Sequence, residues 1–332
     1  MAIDKRIIGR LDAFFKMGNF TDIVSTLPKV QTPMTDLLFP ESKRKTVASP
    51  YINARDIQDE TGAVPVVVRG AKSYSIDGGK QKLHNIEVQP FALNRLISGA
   101  ELNSLIGMGD VESIEAKITD VIRNLRDRTV RSTEILSCMS LSGKILYPIA
   151  VEGGAMDTYS VELGDLKTIA ASNLSDASKS GTLQAALEAQ YIAQQETGSA
   201  QDVRFLAGTD AYATIMNIVS NTQNSVPVQW TDYGCMLFGK YKIMPVSGTY
   251  ALPGKTGATP IIESKSIQTI DLTNTGMLFY AALDELDARL RPLPFYATYR
   301  EEYDPSAIKV MSSSKPLPAF AVTKSVLKKY VA

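Results

Sequence analysis

The chain has 332 residues, 44% of them hydrophobic, and its 35 Lys+Arg are matched by 35 Asp+Glu. That length and apolar content suit one large folded domain or two ordinary ones and exclude a disordered chain. The zero formal charge excludes a global field drawing the chain to nucleic acid or an anionic membrane, so any such contact has to be local or passive.

The opening residues, MAIDKRIIGR, contain no apolar signal core. Apolar runs such as 277–283 fall far short of the ~20 residues a membrane span needs, and the expectation is a cytosolic product without export. Residues 1–60 mix apolar clusters (Ile7, Ile8, Leu11, Phe14, Phe15, then Leu37, Leu38, Phe39) with Pro28, Pro33, Pro40 and Pro50, a pattern that breaks any long helix. They read as an extended arm that needs a surface to lie on. The stretch VVVRGAKSYSIDGGKQKLHN (66–85) reads as two strands joined at Gly78-Gly79, with Val64, Val66 and Val68 on one side of the first strand and Ile86 and Val88 closing the second. Its middle offers only Tyr74, Ile76 and Leu83 as sizeable apolar groups. A two-stranded ribbon so poor in core contacts is marginal alone, so it is expected to pack on another molecule. Arg69, Lys72, Lys80 and Lys82 make it basic, and a single aromatic, Tyr74, favours a protein face over stacked nucleic-acid bases. Its charges, Asp77 included, and its glycines oppose indiscriminate edge pairing.

No Gly or Pro interrupts residues 110–142, which predicts a helix about 50 Å long at about 1.5 Å per residue. Val111, Ile114, Ile118, Val121, Ile122 and Leu125 form a stripe at helical spacing that weakens through Thr129 and Ser132 and resumes at Leu136 and Met139. Asp110, Glu112 and Glu115 at the start, arginines at 123, 126, 128 and 131, and Gly143 at the stop suit the helix dipole and a glycine cap. Such a helix either lies across a sheet or runs between subunits, with Ile114, Ile118, Val121 and Leu125 as its candidate packing positions. Residues 145–164 read as strands, and the polar stretch AASNLSDASKSG (170–181) marks a subdomain boundary. Helices over 182–197 and 209–219 and strands over 203–207, 235–246 and 260–270 make the middle mixed α and β. From Met277 onward, strand patterns return, punctuated by Pro292, Pro294, Pro305, Pro316 and Pro318.

Little here points to catalysis. His84 is the single histidine, which excludes multi-histidine metal sites and limits any nucleophile–histidine pair to one residue with no supporting context. Cys138 and Cys235 are the two cysteines, far apart, and read as small buried hydrophobes rather than as a disulfide or zinc ligands. GTYALPGKTG (248–257) imitates the end of a phosphate loop, but its spacing is wrong, Pro253 interrupts it and no helix pattern follows. It reads as an exposed turn. Asp284, Glu285 and Asp287 could serve as paired carboxylates but have no second cluster beside them, and a solvated turn is the simpler reading. No catalytic residue, metal or cofactor is expected.

The proline-rich arm, the basic hairpin, one long helix and an inserted α/β portion followed by a return to strands resemble, in that order, the lambda-like major capsid protein family of tailed bacteriophages. FGKYKIMPVSGTY (238–250) and GMLFYAALDELDARLRPLPFYATYREEYDPSAIKVMSSSKPLPAF (276–320) carry the strongest match. They follow the family's sequence of a glycine-marked strand pair, a displayed strand, an Asp-Pro-Ser step and a Pro-Leu-Pro strand. By the order of elements the resemblance runs from about residue 30 onward.

The resemblance implies an α+β tailed-phage capsid fold of the Hong Kong ninety-seven type. It divides the chain into an N-terminal arm (1–60), an extended hairpin loop (61–95), a peripheral domain with the spine helix (96–160), an axial domain (161–272) and return strands of the peripheral domain (273–332). The function it implies is a non-enzymatic coat subunit that assembles with itself into pentamers and hexamers of an icosahedral head around the phage DNA. The hairpin residues Arg69, Lys72, Tyr74, Asp77, Gly78, Gly79, Lys80 and Lys82 would then contact an adjacent subunit, and the arm would reach a neighbour too. Further implied partners are a separate scaffolding protein, a portal and a decoration protein, with DNA near the wall only non-specifically and no membrane. The place is the virion capsid, assembled in the host bacterial cytoplasm. Some relatives crosslink subunits through hairpin lysines, and Lys80 or Lys82 could be placed for this; nothing in this sequence marks partner residues, and crosslinking is not expected. Other readings stay open at this point: a tail-tube or encapsulin-like structural oligomer, or a nucleotide-binding enzyme using Gly254-Lys255-Thr256.

Overall fold

The computed structural model describes residues 27–53, 85–107, 111–151, 156–174, 180–221, 226–252, 256–304 and 306–331. The chain enters through a short helix, α1 (Pro33–Leu38), with Pro33 at the first turn where a missing N–H is harmless. Strand β1 (Arg44–Val47) follows, then β2 (Tyr51–Asn53) and β3 (Asn85–Glu87), which pair antiparallel. Next come β4 (Phe91–Ser98), α2 (Gly99–Gly107) and the long helix α3 (Val111–Ser140), close to the 110–142 expected from the run free of Gly and Pro. Gly143, at φ +85°, ends it; a Cβ there would lie 2.4 Å from the carbonyl oxygen of Gly164, so only glycine fits the turn into β5.

β5 (Lys144–Ala150) and β6 (Met156–Glu162) form a hairpin. β7 (Lys167–Asn173), α4 (Ser180–Gln195), β8 (Val203–Ala207), α5 (Thr209–Ser220), β9 (Val228–Thr231), β10 (Gly234–Leu237) and β11 (Tyr241–Pro245) make up the α/β portion. The strand expected over 235–246 is two strands, because Phe238 and Gly239 turn the chain with φ near +53° and +66°. The pair β12 (Thr249–Tyr250) and β13 (Thr259–Pro260) and strand β14 (Ser266–Asp271) follow, so the strand expected over 260–270 begins only at Ser266. β15 (Gly276–Ala281), β16 (Tyr296–Tyr303), β17 (Ser306–Ser314), β18 (Pro316–Phe320) and β19 (Val326–Val331) complete the chain.

Two features position everything else. The first is a seven-stranded sheet in the order β7-β19-β14-β8-β11-β10-β9, on which α4 and α5 bury Leu183, Leu187, Ile215 and Ile218. All six residues of β14 are buried, so both of its edges need partners; β8 takes one and the C-terminal β19 takes the other, antiparallel. The last strand therefore does not return with the rest of 273–332. It completes the sheet that the 161–272 portion builds. The second feature is α3, which crosses two separate cores. Its early turns place Ile118, Val121, Ile122 and Leu125 on the three-stranded sheet β16-β17-β4. Its last turns place Leu136 and Met139 in the largest core, with the sheet β1-β15-β18 and the β5–β6 hairpin.

Candidate assembly surfaces

The arm is tied down from Leu27 onward. Met34, Leu38 and Phe39 are buried in the largest core, and β1 runs parallel to β15. The α1 N-terminus is capped from another helix: the Glu134 carboxylate on α3 accepts the backbone N–H groups of Met34 and Thr35, each at 2.8 Å. A carboxylate there satisfies two orphan donors and faces the positive end of the helix. Arg126 donates to the Pro28 carbonyl, and the Thr35 hydroxyl bonds to that of Ser137 at 2.9 Å. The expectation that the arm lies on a neighbour is thus corrected for 27–47. Prolines stop a long helix but leave Met34, Leu38 and Phe39 free to fill the chain's own core.

The α3 surface that receives the arm is hydroxylic. Thr129, Thr133, Ser137 and Ser140 are all buried, and each hydroxyl donates back to a carbonyl of its own helix at 2.7 to 3.0 Å. Such back-bonding satisfies small polar side chains without an outside partner, so the backbones of α1 and α3 can approach closely. Ile118, Val121 and Leu125 lie buried in the other core; Ile114 is on the same helix, in a turn whose side chains are outside the described residues.

All eight hairpin positions (Arg69, Lys72, Tyr74, Asp77, Gly78, Gly79, Lys80, Lys82) lie outside the described residues, as does His84. The root of that segment is described. Ile52 pairs with Ile86 across β2 and β3, and Ile52 and Val88 are buried in the largest core. Asn53 and Asn85, the described residues that flank 54–84, are paired side by side on that base.

Polar anchors also hold the seven-stranded sheet. Asp271, buried at the end of β14, accepts from the N–H groups of Gln201, Asp202 and Thr273 at 3.0 Å and from the hydroxyls of Ser199 and Thr273. Burial pushes its carboxyl up, but these donors outweigh it and hold the pKa at about 2. Gln190 on α4 donates to the Ile267 carbonyl and accepts from the Tyr330 hydroxyl, joining helix, β14 and β19.

Among the described residues, the most exposed large apolar groups stand at three places that sequence reasoning did not single out. Trp230 and Tyr233 stand on the β9–β10 hairpin, exposed by 71% and 78%. β9 is one of the two edge strands of the seven-stranded sheet. Gly234 keeps this hairpin against β11, since a Cβ there would fall 2.1 Å from the Ile243 carbonyl oxygen. Leu286 and Leu290 protrude from the loop between β15 and β16, and Tyr303 from the β16–β17 tip. The available signal was compositional: Trp230 is the sole tryptophan and sits in the polar context QWTDYG. Exposed aromatics of this kind mark contact surfaces.

The features weighed for chemistry fall into structural roles. Gly254 and Lys255 lie outside the described residues, but the flanking β12 and β13 pair antiparallel. The elements on either side are two strands, whereas a phosphate loop joins a strand to a helix. Cys138 and Cys235 are buried. Burial, and then the Glu134 charge, push the Cys138 thiol up to about 12, and burial raises that of Cys235 as well; both stay protonated and unreactive. Asp284 pairs with the buried Lys315 at 2.5 Å. Among the described residues no helix is long and apolar enough to cross a membrane.

Over residues 16–329 the chain matches the family described as phage major capsid protein E. No curated protein matches it. Among solved structures it is similar to a protein assigned as a capsid protein of a prophage of E. coli CFT073. The TM-score is 0.57 at 14% identity, over 94% of this chain and 97% of that one. It is also similar to a chain of the cyanophage A-1(L) capsid asymmetric unit, with a TM-score of 0.50 at 13% identity over 92% of this chain and 94% of that one. At such identities the likeness is one of fold, and the fold is the Hong Kong ninety-seven type that the element order implied.

Proposed function

The chain belongs to the phage major capsid protein E family, a structural component of the virion head, and on that premise we propose how its parts work. Copies associate into pentamers and hexamers that close into an icosahedral shell around the DNA. The single observation that carries this is the family match, which runs nearly the length of the chain. Stability then comes from many modest heterologous contacts repeated around rings and between them. The role is mechanical and needs no catalytic group.

Within this reading, 61–95 is the extended loop, and Arg69, Lys72, Tyr74, Asp77, Gly78, Gly79, Lys80 and Lys82 meet the adjacent subunit. Support comes from the ribbon's poverty of apolar residues and from its firmly rooted base at Ile52 and Val88. The 96–160 portion with α3 acts as the peripheral unit and 161–272 as the axial one. Assembly takes place in the host bacterial cytoplasm with a separate scaffolding protein and a portal, and a decoration protein is a further partner. A balanced net charge suits a wall that must neither repel its own copies nor hold packaged DNA tightly.

Negative-stain electron microscopy of the full chain, expressed alone and with its neighbouring operon genes, tests the reading. Closed polyhedral shells, or rings of five and six, are expected; compact monomers under both conditions would overturn it. Replacing 72–82 by a short Gly-Ser turn is expected to give a folded subunit that forms no shells, and normal shells from that variant would remove the role given to the hairpin.

A further inference from the structure

Each copy carries a basic, apolar-walled cavity. It lies between residues 29–37 and the β8–β11 part of the seven-stranded sheet and has a volume of about 710 Å³. Leu37 and Ile243 are among its apolar walls, while its charged lining is three cations, Lys29, Arg204 and Lys242, against one carboxylate, Asp36. Asp202 pairs with both Arg204 and Lys242, and Asp36 with Lys29, so three cations stand against two carboxylates. Cations in excess beside a concave apolar surface suit a carboxylate-bearing segment.

Each copy also carries an apolar knob flanked by two carboxylates. In the loop between β15 and β16, Leu286 is 82% exposed and stands between Glu285 and Asp287, with Leu290 half-exposed nearby. Arg289 and Leu290 adopt φ +53° and +54°. Two consecutive non-glycine residues in the left-handed region are costly, and such outliers persist only where their surroundings hold them. Here the holders are the small core of Leu283, Ala288 and Tyr296 and the Lys315–Asp284 pair. The knob is therefore pre-shaped, which lowers the ordering cost of docking.

We propose that the Leu286 knob of one copy seats in the cavity of a neighbouring copy, with Glu285 and Asp287 facing Lys29, Arg204 and Lys242. The proposal rests on the coat reading and names one of its subunit contacts. A knob and a hole built from different residues of one chain make a head-to-tail contact, the kind that closes into rings. Tyr233, at the cavity lining and largely exposed, adds an aromatic contact at its mouth.

The test uses the full chain under the assembly conditions above. Leu286→Asp, at a position already in solvent, is expected to keep the wild-type unfolding midpoint and to reduce ring or shell yield by roughly tenfold or more, as loss of a contact hot spot does. In parallel, carbodiimide crosslinking of wild-type particles assembled from isotopically heavy and light copies is expected to join Glu285 or Asp287 of one copy to Lys29 or Lys242 of another. Shells from Leu286→Asp at wild-type yield would overturn the contact and leave the coat reading intact. So would inter-copy crosslinks that join the loop carboxylates to other lysines. Failure of the wild type to assemble at all would overturn both.

Discussion

The two halves of α3 are buried by different chemistry. The early half presents Ile118, Val121, Ile122 and Leu125 to the β16-β17-β4 sheet, and that contact is non-directional burial of apolar area. Toward the C-terminal end the helix adds Glu134 and a row of back-bonded hydroxyls, and these receive the arm through named hydrogen bonds. Apolar packing fixes that a sheet lies against the helix. The polar half fixes which residue of the arm sits at which turn, because Glu134 can cap α1 in one register only.

Truncation should separate the halves. Ile122→Ala, at a side chain with no exposure, is expected to cost about 3 kcal/mol through lost burial and a residual cavity, read as a fall in the urea midpoint of the unassembled subunit. Glu134→Ala is expected to cost about 2 kcal/mol, since it strands two N–H groups and removes a charge from a helix N-terminus. Its specific signature is earlier hydrogen exchange at Met34 and Thr35 than elsewhere in the largest core. Faster exchange spread evenly over both cores would mean that the latch is not a local device.

The same polar logic recurs at Asp271, where it becomes a pH dependence. Its folded pKa of about 2 lies below the ordinary 3.8. The stabilisation is therefore fully present above about pH 4 and is lost as pH falls through about 2, amounting to roughly 2 kcal/mol. The stability difference between wild type and Asp271→Asn should accordingly shrink as pH is lowered from 5 toward 2; a constant difference would contradict the account. The smallest effect is expected from Thr133→Val. The side chain keeps its shape and loses only a hydroxyl bonded within its own helix, so a change of about 1 kcal/mol or less should be measured. A loss as large as that of Ile122→Ala would show that the hydroxyl row carries more than local satisfaction.

Much of the site was hidden from sequence reasoning for the same reason that these halves differ. Helical spacing made Ile118, Val121 and Leu125 legible as one packing face, since period alone carries that information. It could not show that Thr129 and Thr133, where the stripe weakens, are buried too, because a hydroxyl satisfied inside its own helix leaves no periodic trace. Nor could it show the cavity lined by Lys29, Arg204 and Lys242, whose residues are far apart in the chain.

What the sequence determined by itself was therefore local: α3 and its glycine stop, the helices and strands of the α/β portion, the buried cysteines, and an element order specific enough to imply the capsid fold. Tertiary structure decided the rest. β1 found β15 more than 200 residues away, Arg289 and Leu290 were held in a left-handed turn by a small core, and β19 entered the sheet beside β14 rather than staying with the strands before it. Those outcomes depend on which edge or core remains unfilled once the local elements have formed, and an unfilled edge is a property of the assembled chain that no short window of residues contains.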